Sequence, residues 1–333
     1  MDYRDAPPLI RDFLIYHETI KGHSKKTVDE YALDLRTFFR YIKQARGLSG
    51  NAEFLDIDIA DVDIKLIASV TLTDIYQFMT FLGRDREYGH DNSKIGISTT
   101  SVSRKVSSLR SFFGYLTQKA EVLDKDPTIN LDSPKLKKPL PRYLNVEQSI
   151  DLLNSVDGKN RERDYLILVL FLNCGLRISE LVGLNLSDIS KDGLRVRGKG
   201  NKERIIFLND ACTNALNEYM PIRNSMPAIE ATSRNALLVT RQNKRISTNT
   251  VHVLVKKYLS RAGLDASQYS AHKLRHTAAT LMHQNGVDIR TLQEFLGHDN
   301  LNTTEIYTHV VNKEVRDAVM ANPLGNVKNR KSE

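Results

Sequence analysis

Between Asp124 and Arg142 the chain reads DKDPTINLDSPKLKKPLPR, and its four prolines, Pro127, Pro134, Pro139 and Pro141, disfavour helix and strand alike. Whatever folds before this stretch and whatever folds after it must each close its own core. The 333 residues allow that, since domains usually run about 100–200 residues. The expected organisation is a first domain over residues 1–123, an extended linker over 124–142, a second domain over 143–322 and a disordered tail over 323–333. Lys135, Lys137, Lys138 and Arg142 make the linker basic, which suits a tether lying along a polyanion as well as a plain connector.

The first domain reads as helices. Ile10, Phe13 and Leu14 mark a short amphipathic segment. Val28, Tyr31, Leu35, Phe38, Phe39 and Ile42 mark a longer one over 24–45, with Thr27 and Glu30 at capping-box spacing. Residues 72–82 and 99–117 repeat the apolar spacing. Residues 53–63 alternate acids with Leu, Ile and Val, and suit either a short strand or an exposed acidic loop. Residues 89–96 look like another loop.

The second domain begins near Tyr143. Helices are expected over 146–156, 163–174 (apolar enough to be a core element) and, after Gly175, over 178–183. Two strands, 194–197 and 204–208, flank the turn sequence GKGNK. Further helices are expected over 211–219, 248–262, 272–285, 289–296, 303–307 and 313–320.

Five short stretches here carry chemistry: GLRISEL at 175–181, GKGNKER at 198–204, HKLRHT at 272–277, LGH at 296–298 and Tyr307 within TTEIYTH. Together they describe a site for a phosphodiester. Arg177 and Arg275 offer forked donors that match the oxygens on which charge gathers in a trigonal-bipyramidal transition state. His272 lies three residues before Arg275 and shares its helix face, and His298 follows a glycine at a helix end. Lys199, at a hairpin tip, suits the protonation of a leaving oxygen. Tyr307 brings a phenol of ordinary pKa near 10, which needs cationic neighbours to attack as phenolate. Glu180 would hold Arg177 by an ion pair, or be a helix-surface acid. His272 and His276 have the HxxxH spacing of a zinc helix, but Lys273 stands where a zinc protease carries its glutamate base, so no metal site is expected. No GxxxxGK[ST] loop is present to hold ATP.

The ordered set Arg177, Lys199, His272, Arg275, His298 and Tyr307 resembles the tyrosine recombinase (phage-integrase-like) family, and the Xer branch most closely. The linker PKLKKPLPRYL is similar too. The resemblance implies a mainly α chain: an all-α helical-bundle DNA-binding domain, then an α+β catalytic domain with a small β-sheet. It also implies a site-specific DNA recombinase that cuts and rejoins duplex DNA through a 3′-phosphotyrosyl bond to Tyr307, with no metal or other cofactor. Similar enzymes work as homo-tetramers, or paired with a related recombinase, and pass a C-terminal helix to a neighbour; here that helix is 313–320. Resolution of chromosome or plasmid dimers is the expected role, with integration or excision of a mobile element as the alternative. A type IB topoisomerase, or a DNA-binding protein without catalysis, stands further off.

A net charge of +8 and a pI near 9.3 agree with a polyanionic partner. Lys25, Lys26 and Arg36 on the second helix, Arg104, Lys105 and Arg110 on the fourth, and Lys135, Lys137 and Lys138 of the linker are candidate DNA contacts. The two cysteines, Cys174 and Cys212, sit in apolar surroundings and suit buried thiols in a reducing compartment. The N-terminus lacks the apolar core of a signal peptide, and the run 165–172 falls far short of the ~20 residues of a membrane span. A cytoplasmic protein is expected.

Overall fold

The computed structural model describes residues 6–88, 94–134, 142–191, 193–198, 203–226, 230–297, 317 and 319–325. The chain divides into two compact units, residues 1–139 and 140–333.

The first unit is built on α1 (Pro8–Ile15), α2 (Lys25–Ala45), α3 (Ile64–Ala68), α4 (Leu72–Thr80) and α5 (Thr99–Gln118). Phenylalanines spaced along α1, α2, α4 and α5 meet edge to face at its centre: Phe13 with Phe112 at 5.4 Å, Phe38 with Phe78 at 5.1 Å. Such pairs add about 0.5–1.5 kcal/mol each beyond the area they bury. The start of α2 differs from the Thr27–Glu30 expectation. Ser24 is the cap, with extended backbone and its Oγ accepting from the Thr27 amide, whereas Thr27 already lies inside the helix. Glu30 instead pairs with Arg104 at 2.8 Å.

Residues 53–63 form neither a strand nor a free loop. Ile57, Ile59 and Val62 are buried, and the segment is tied to α2 by Arg40 Nε donating to the Ile57 carbonyl and Lys43 Nζ to the Asp58 carbonyl and Asp61. A small hairpin, β1 (Glu87–Tyr88) with β2 (Lys94–Ile95), begins just before the stretch read as a loop. The first half of the proline-rich stretch also belongs to this unit. Leu131 enters its core, Thr128 is buried, and the Arg110 guanidinium donates to the Leu131 carbonyl and to Ser133 Oγ. Local composition indicates a tether; the apolar side chain of Leu131 decides otherwise.

The second unit wraps around α7 (Arg161–Cys174), whose residues 163–174 are all buried. A helix apolar on every side must be a core element, and α6 (Val146–Asn154), α9 (Asp210–Ser225) and α11 (Ala271–Gln284) pack on it. Its one buried carboxylate, Asp164, is met by Arg163 and by the Tyr258 hydroxyl at 2.8 Å. Helix α8 (Ile178–Gly183) follows, then a three-stranded antiparallel sheet of β3 (Ile189–Ser190), β4 (Gly193–Arg197) and β5 (Glu203–Ile206), with Val196 opposite Arg204. The two residues of β3 carry too little periodicity to be seen in sequence. Helix α9 runs past the expected end at Tyr219, through Pro221, because buried Arg223 anchors its last turn on the Ala236 and Arg234 carbonyls. Helices α10 (Thr248–Arg261) and α12 (Ile289–Leu296) complete the described set. Cys174 and Cys212 are buried free thiols with sulfurs 3.5 Å apart, and burial raises the Cys212 thiol.

Residues 319–325 pack on this same unit. Val319 and Leu324 are fully buried, and Asn322 Nδ2 donates to the Leu172 carbonyl at 3.0 Å. The expected helix 303–307, and residues 313–316 and 318 of the expected helix 313–320, lie outside the described residues. No described helix is long and apolar enough to cross a membrane.

Candidate active site in the C-terminal unit

The site begins where α7 stops. Gly175 adopts the left-handed cap (φ +55), and a Cβ there would meet the Phe295 ring of α12 at 3.0 Å. Leu176 is buried, and Arg177 becomes the N-cap of α8 with extended backbone. Glu180, at the third position of that helix, accepts from both the Arg177 amide and Arg177 Nη1 at 2.8 Å. Position 180 is therefore not a surface acid; its side chain is 1% exposed.

Three guanidiniums converge on this one carboxylate. Arg204 forks onto it, Nη1 to Oε1 at 2.8 Å and Nη2 to Oε2 at 3.0 Å. Arg275 Nη1 stands 3.8 Å from Oε2. The arginines are also held by backbone: Arg177 Nη2 donates to the Gly297 carbonyl at 2.8 Å, and Arg275 donates to the Gly175 carbonyl at 2.7 Å and to the Leu296 carbonyl. Gly297 is itself the left-handed cap of α12 (φ +61). Burial alone would raise the Glu180 carboxyl; hydrogen bonds from Arg204 and Arg177 outweigh it, and the net shift is downward. Burial, then the neighbouring charge of Arg177, lowers the Arg275 guanidinium to about 10 despite Glu180. Three cations against one anion leave a surplus of two positive charges, on a face where Arg177 is one-third exposed and Arg275 nearly buried. Such a cluster is matched to a phosphate whose charge rises on the way to a pentacovalent transition state.

Of the six candidate catalytic residues, Arg177 and Arg275 are thus brought together. His272 lies on the exposed side of α11, three residues before Arg275. Lys199, His298 and Tyr307 lie outside the described residues, although Arg204 of the strand after Lys199 and the cap residue preceding His298 belong to the cluster. Arg204 was absent from the sequence-derived set. Strand alternation carried its signal, since Arg204 shares the inward face of β5 with buried Ile206. Among the described residues no group of three or more His, Cys, Asp or Glu side chains could hold a metal ion.

The candidate DNA contacts of the first unit separate into two kinds. Lys25 and Lys26 are exposed at the start of α2, and Arg36 is half-buried. On α5, Arg104 forks onto Asp34 at 2.8 and 3.0 Å, and Lys105 is buried with its ammonium 2.7 Å from the same carboxylate. Lys105 is therefore a core ion-pair partner rather than a presented cation, and Arg110 holds the start of the linker. Lys135, Lys137 and Lys138 lie outside the described residues.

The Phage integrase family model matches residues 142–314. A tyrosine recombinase XerC of Caldanaerobacter subterraneus subsp. tengcongensis is 51% identical over 326 residues, covering 97% of this chain and 89% of that protein. The chain belongs to the phage integrase family of tyrosine recombinases. A tyrosine recombinase XerD of Halalkalibacterium halodurans is 31% identical, covering 92% of this chain and 95% of its own. Among solved structures, XerH site-specific recombinase bound to palindromic difH substrate superposes with a TM-score of 0.62 at 23% identity, over 88% of this chain and 79% of that one. A lambda integrase dimer bound to a COC′ core site gives 0.58 at 17%, over 89% and 98%. These structures share the mainly helical fold with its small antiparallel sheet. As an Xer-like tyrosine recombinase, the chain is an enzyme of site-specific recombination.

Proposed function

We propose that this recombinase breaks one strand of a specific duplex site by attack of Tyr307 on the scissile phosphate. The phenolate oxygen forms a bond to phosphorus, the bond to the 5′ oxygen breaks, and Lys199 gives that oxygen its proton. Arg177 and Arg275 bind the non-bridging oxygens, with His272 and His298 beside them. The strand is held as a 3′-phosphotyrosyl ester, so a partner 5′-hydroxyl restores the backbone by the reverse step. The observation that carries this reading is the convergence of Arg177, Arg204 and Arg275 on the single buried carboxylate of Glu180, leaving a cationic surplus.

In this reading residues 1–123 form the core DNA-binding domain, with Lys25 and Lys26 among its phosphate contacts, and residues 143–322 form the catalytic domain. The basic residues Lys135, Lys137, Lys138 and Arg142 run along the duplex, after the segment through Ser133 that packs on the first unit. Four protomers, of this chain alone or with a related recombinase, act on two sites in the cytoplasm, and on assembly the helix 313–320 leaves its own unit, where Val319 is buried, to pass to a neighbour. Relatives named XerC and XerD support resolution of replicon dimers as the role ahead of mobile-element integration.

Nicked suicide duplexes carrying candidate sites from the source genome test the reading. Incubated without metal, they should trap the protein in a denaturation-resistant adduct that Tyr307→Phe abolishes while leaving DNA binding intact. An adduct formed by the Phe variant would overturn the assignment. Recombinant products, rather than relaxed supercoils alone, separate it from a topoisomerase.

A further inference from the structure

We propose that Arg204 is a positioning residue of the recombination site, locking the Glu180 carboxylate, and through it Arg177 and Arg275, to the hairpin that carries Lys199. The inference rests on the catalytic reading above and adds a residue to it.

Three features single Arg204 out. Its fork satisfies both oxygens of Glu180 at once, a geometry that a lysine ammonium cannot reproduce. Its guanidinium also lies directly under Gly297: a Cβ at that glycine would stand 3.1–3.3 Å from Nη1, Cζ and Nε. Gly297 in turn supplies the carbonyl that receives Arg177 and immediately precedes His298. One side chain of β5, five residues after Lys199 in sequence, therefore touches the helix that presents Arg177 and the cap that leads into His298. Finally, β5 is bound to β4 by the sheet ladder and the Arg197–Glu203 pair, but on the side facing α12 its polar tie is Arg204. The space beside it is a cavity of about 330 Å³ bounded by Phe295 and Val319, and Arg204 Nε finds no acceptor among the described residues.

Glu180 is faced by Arg177 from the start of α8, by Arg204 from β5 and by Arg275 from α11. Without Arg204 the carboxylate keeps Arg177 as its hydrogen-bonded cation and attracts Arg275 across the remaining gap, away from the Gly175 and Leu296 carbonyls. Burial then acts on a carboxyl with one opponent fewer, so the deprotonated form is lost at higher pH. A side chain that merely supported folding would change the active fraction equally at every pH.

The experiment measures the adduct rate on a suicide duplex against pH, with DNA affinity measured in parallel, for the full-length wild type, Arg204→Gln, Arg204→Lys, Glu180→Gln and the double variant. Arg204→Gln should bind DNA within about twofold of wild type yet form adduct roughly 10- to 100-fold more slowly. Its acid limb should move to higher pH, and Arg204→Lys should recover part of the rate. If the two residues act as one unit, the double variant, which no longer buries an under-paired charge, should be no slower than Glu180→Gln alone. Rates in Arg204→Gln equal to wild type, an unmoved acid limb, or single effects that multiply in the double variant would overturn the inference. Absence of adduct in the wild type itself would instead sink the underlying assignment of Tyr307.

Discussion

Arg177 reaches across 120 residues of sequence to donate to the Gly297 carbonyl at 2.8 Å, so the orientation of one arginine of the site depends on the cap of α12. That cap demands glycine twice: its φ is +61, and a side chain would press on Arg204. Gly297→Ala should lose about 1–2 kcal/mol of stability from the left-handed backbone. It should also slow adduct formation by more than the folded fraction explains, as single-turnover cleavage at saturating protein would show. Wild-type cleavage in a stably folded variant would dissociate the cap from the arginine.

The two kinds of lysine in the first unit should behave oppositely. Replacing exposed Lys25 and Lys26 together by Gln should flatten the plot of log K against log salt by about 2, one for each phosphate no longer neutralised. The unfolding midpoint should not move. Lys105→Gln should instead leave the salt slope unchanged and destabilise the unit by about 1–3 kcal/mol, because buried Asp34 loses one charged donor while Arg104 and Ser108 still hold it. A salt slope altered by Lys105→Gln would return that residue to the DNA surface.

His17 makes the first unit acid-sensitive. Its ring is buried, with Nδ1 3.1 Å from His23 Nδ1 and Nε2 3.0 Å from Ser111 Oγ. Burial, then His23 and Lys21, lowers it from the ordinary 6.5 to about 4. The unfolded chain therefore takes up this proton first, so the stability conferred by neutral His17 is complete above pH 6.5 and is lost as pH falls toward 4. Urea midpoints at several pH values should decline more steeply across that window in the wild type than in His17→Gln. Parallel declines would show that the ring titrates freely.

Ending the chain at residue 316 should weaken the second unit. The burial of Val319 and Leu324, worth roughly 1.5–3 kcal/mol each, would go, and the Leu172 carbonyl would be left without its Asn322 donor. Thermal unfolding of the truncated chain should shift downward, and Asn322→Ala should reproduce part of the shift. An unchanged midpoint would mean that residues 319–325 leave their own unit in solution.

The all-buried helix α7, the two strands on either side of the GKGNK turn sequence and the mainly helical character of the chain were legible in sequence. Each rests on local information: helical spacing, strand alternation, glycine in a turn. The cap at Ser24 rather than at Thr27 was also local, but two capping residues three apart compete and the backbone chooses between them. Partner choice across long separations was not legible. Lys25 and Lys105 look alike in sequence, yet one meets solvent and the other a carboxylate 71 residues away. Glu180 read equally well as a surface acid or as an arginine's partner, and only packing shows that it gathers three. A buried charge takes whatever counter-charge the folded chain brings within reach, and that is a property of the tertiary structure, not of the segment that carries it.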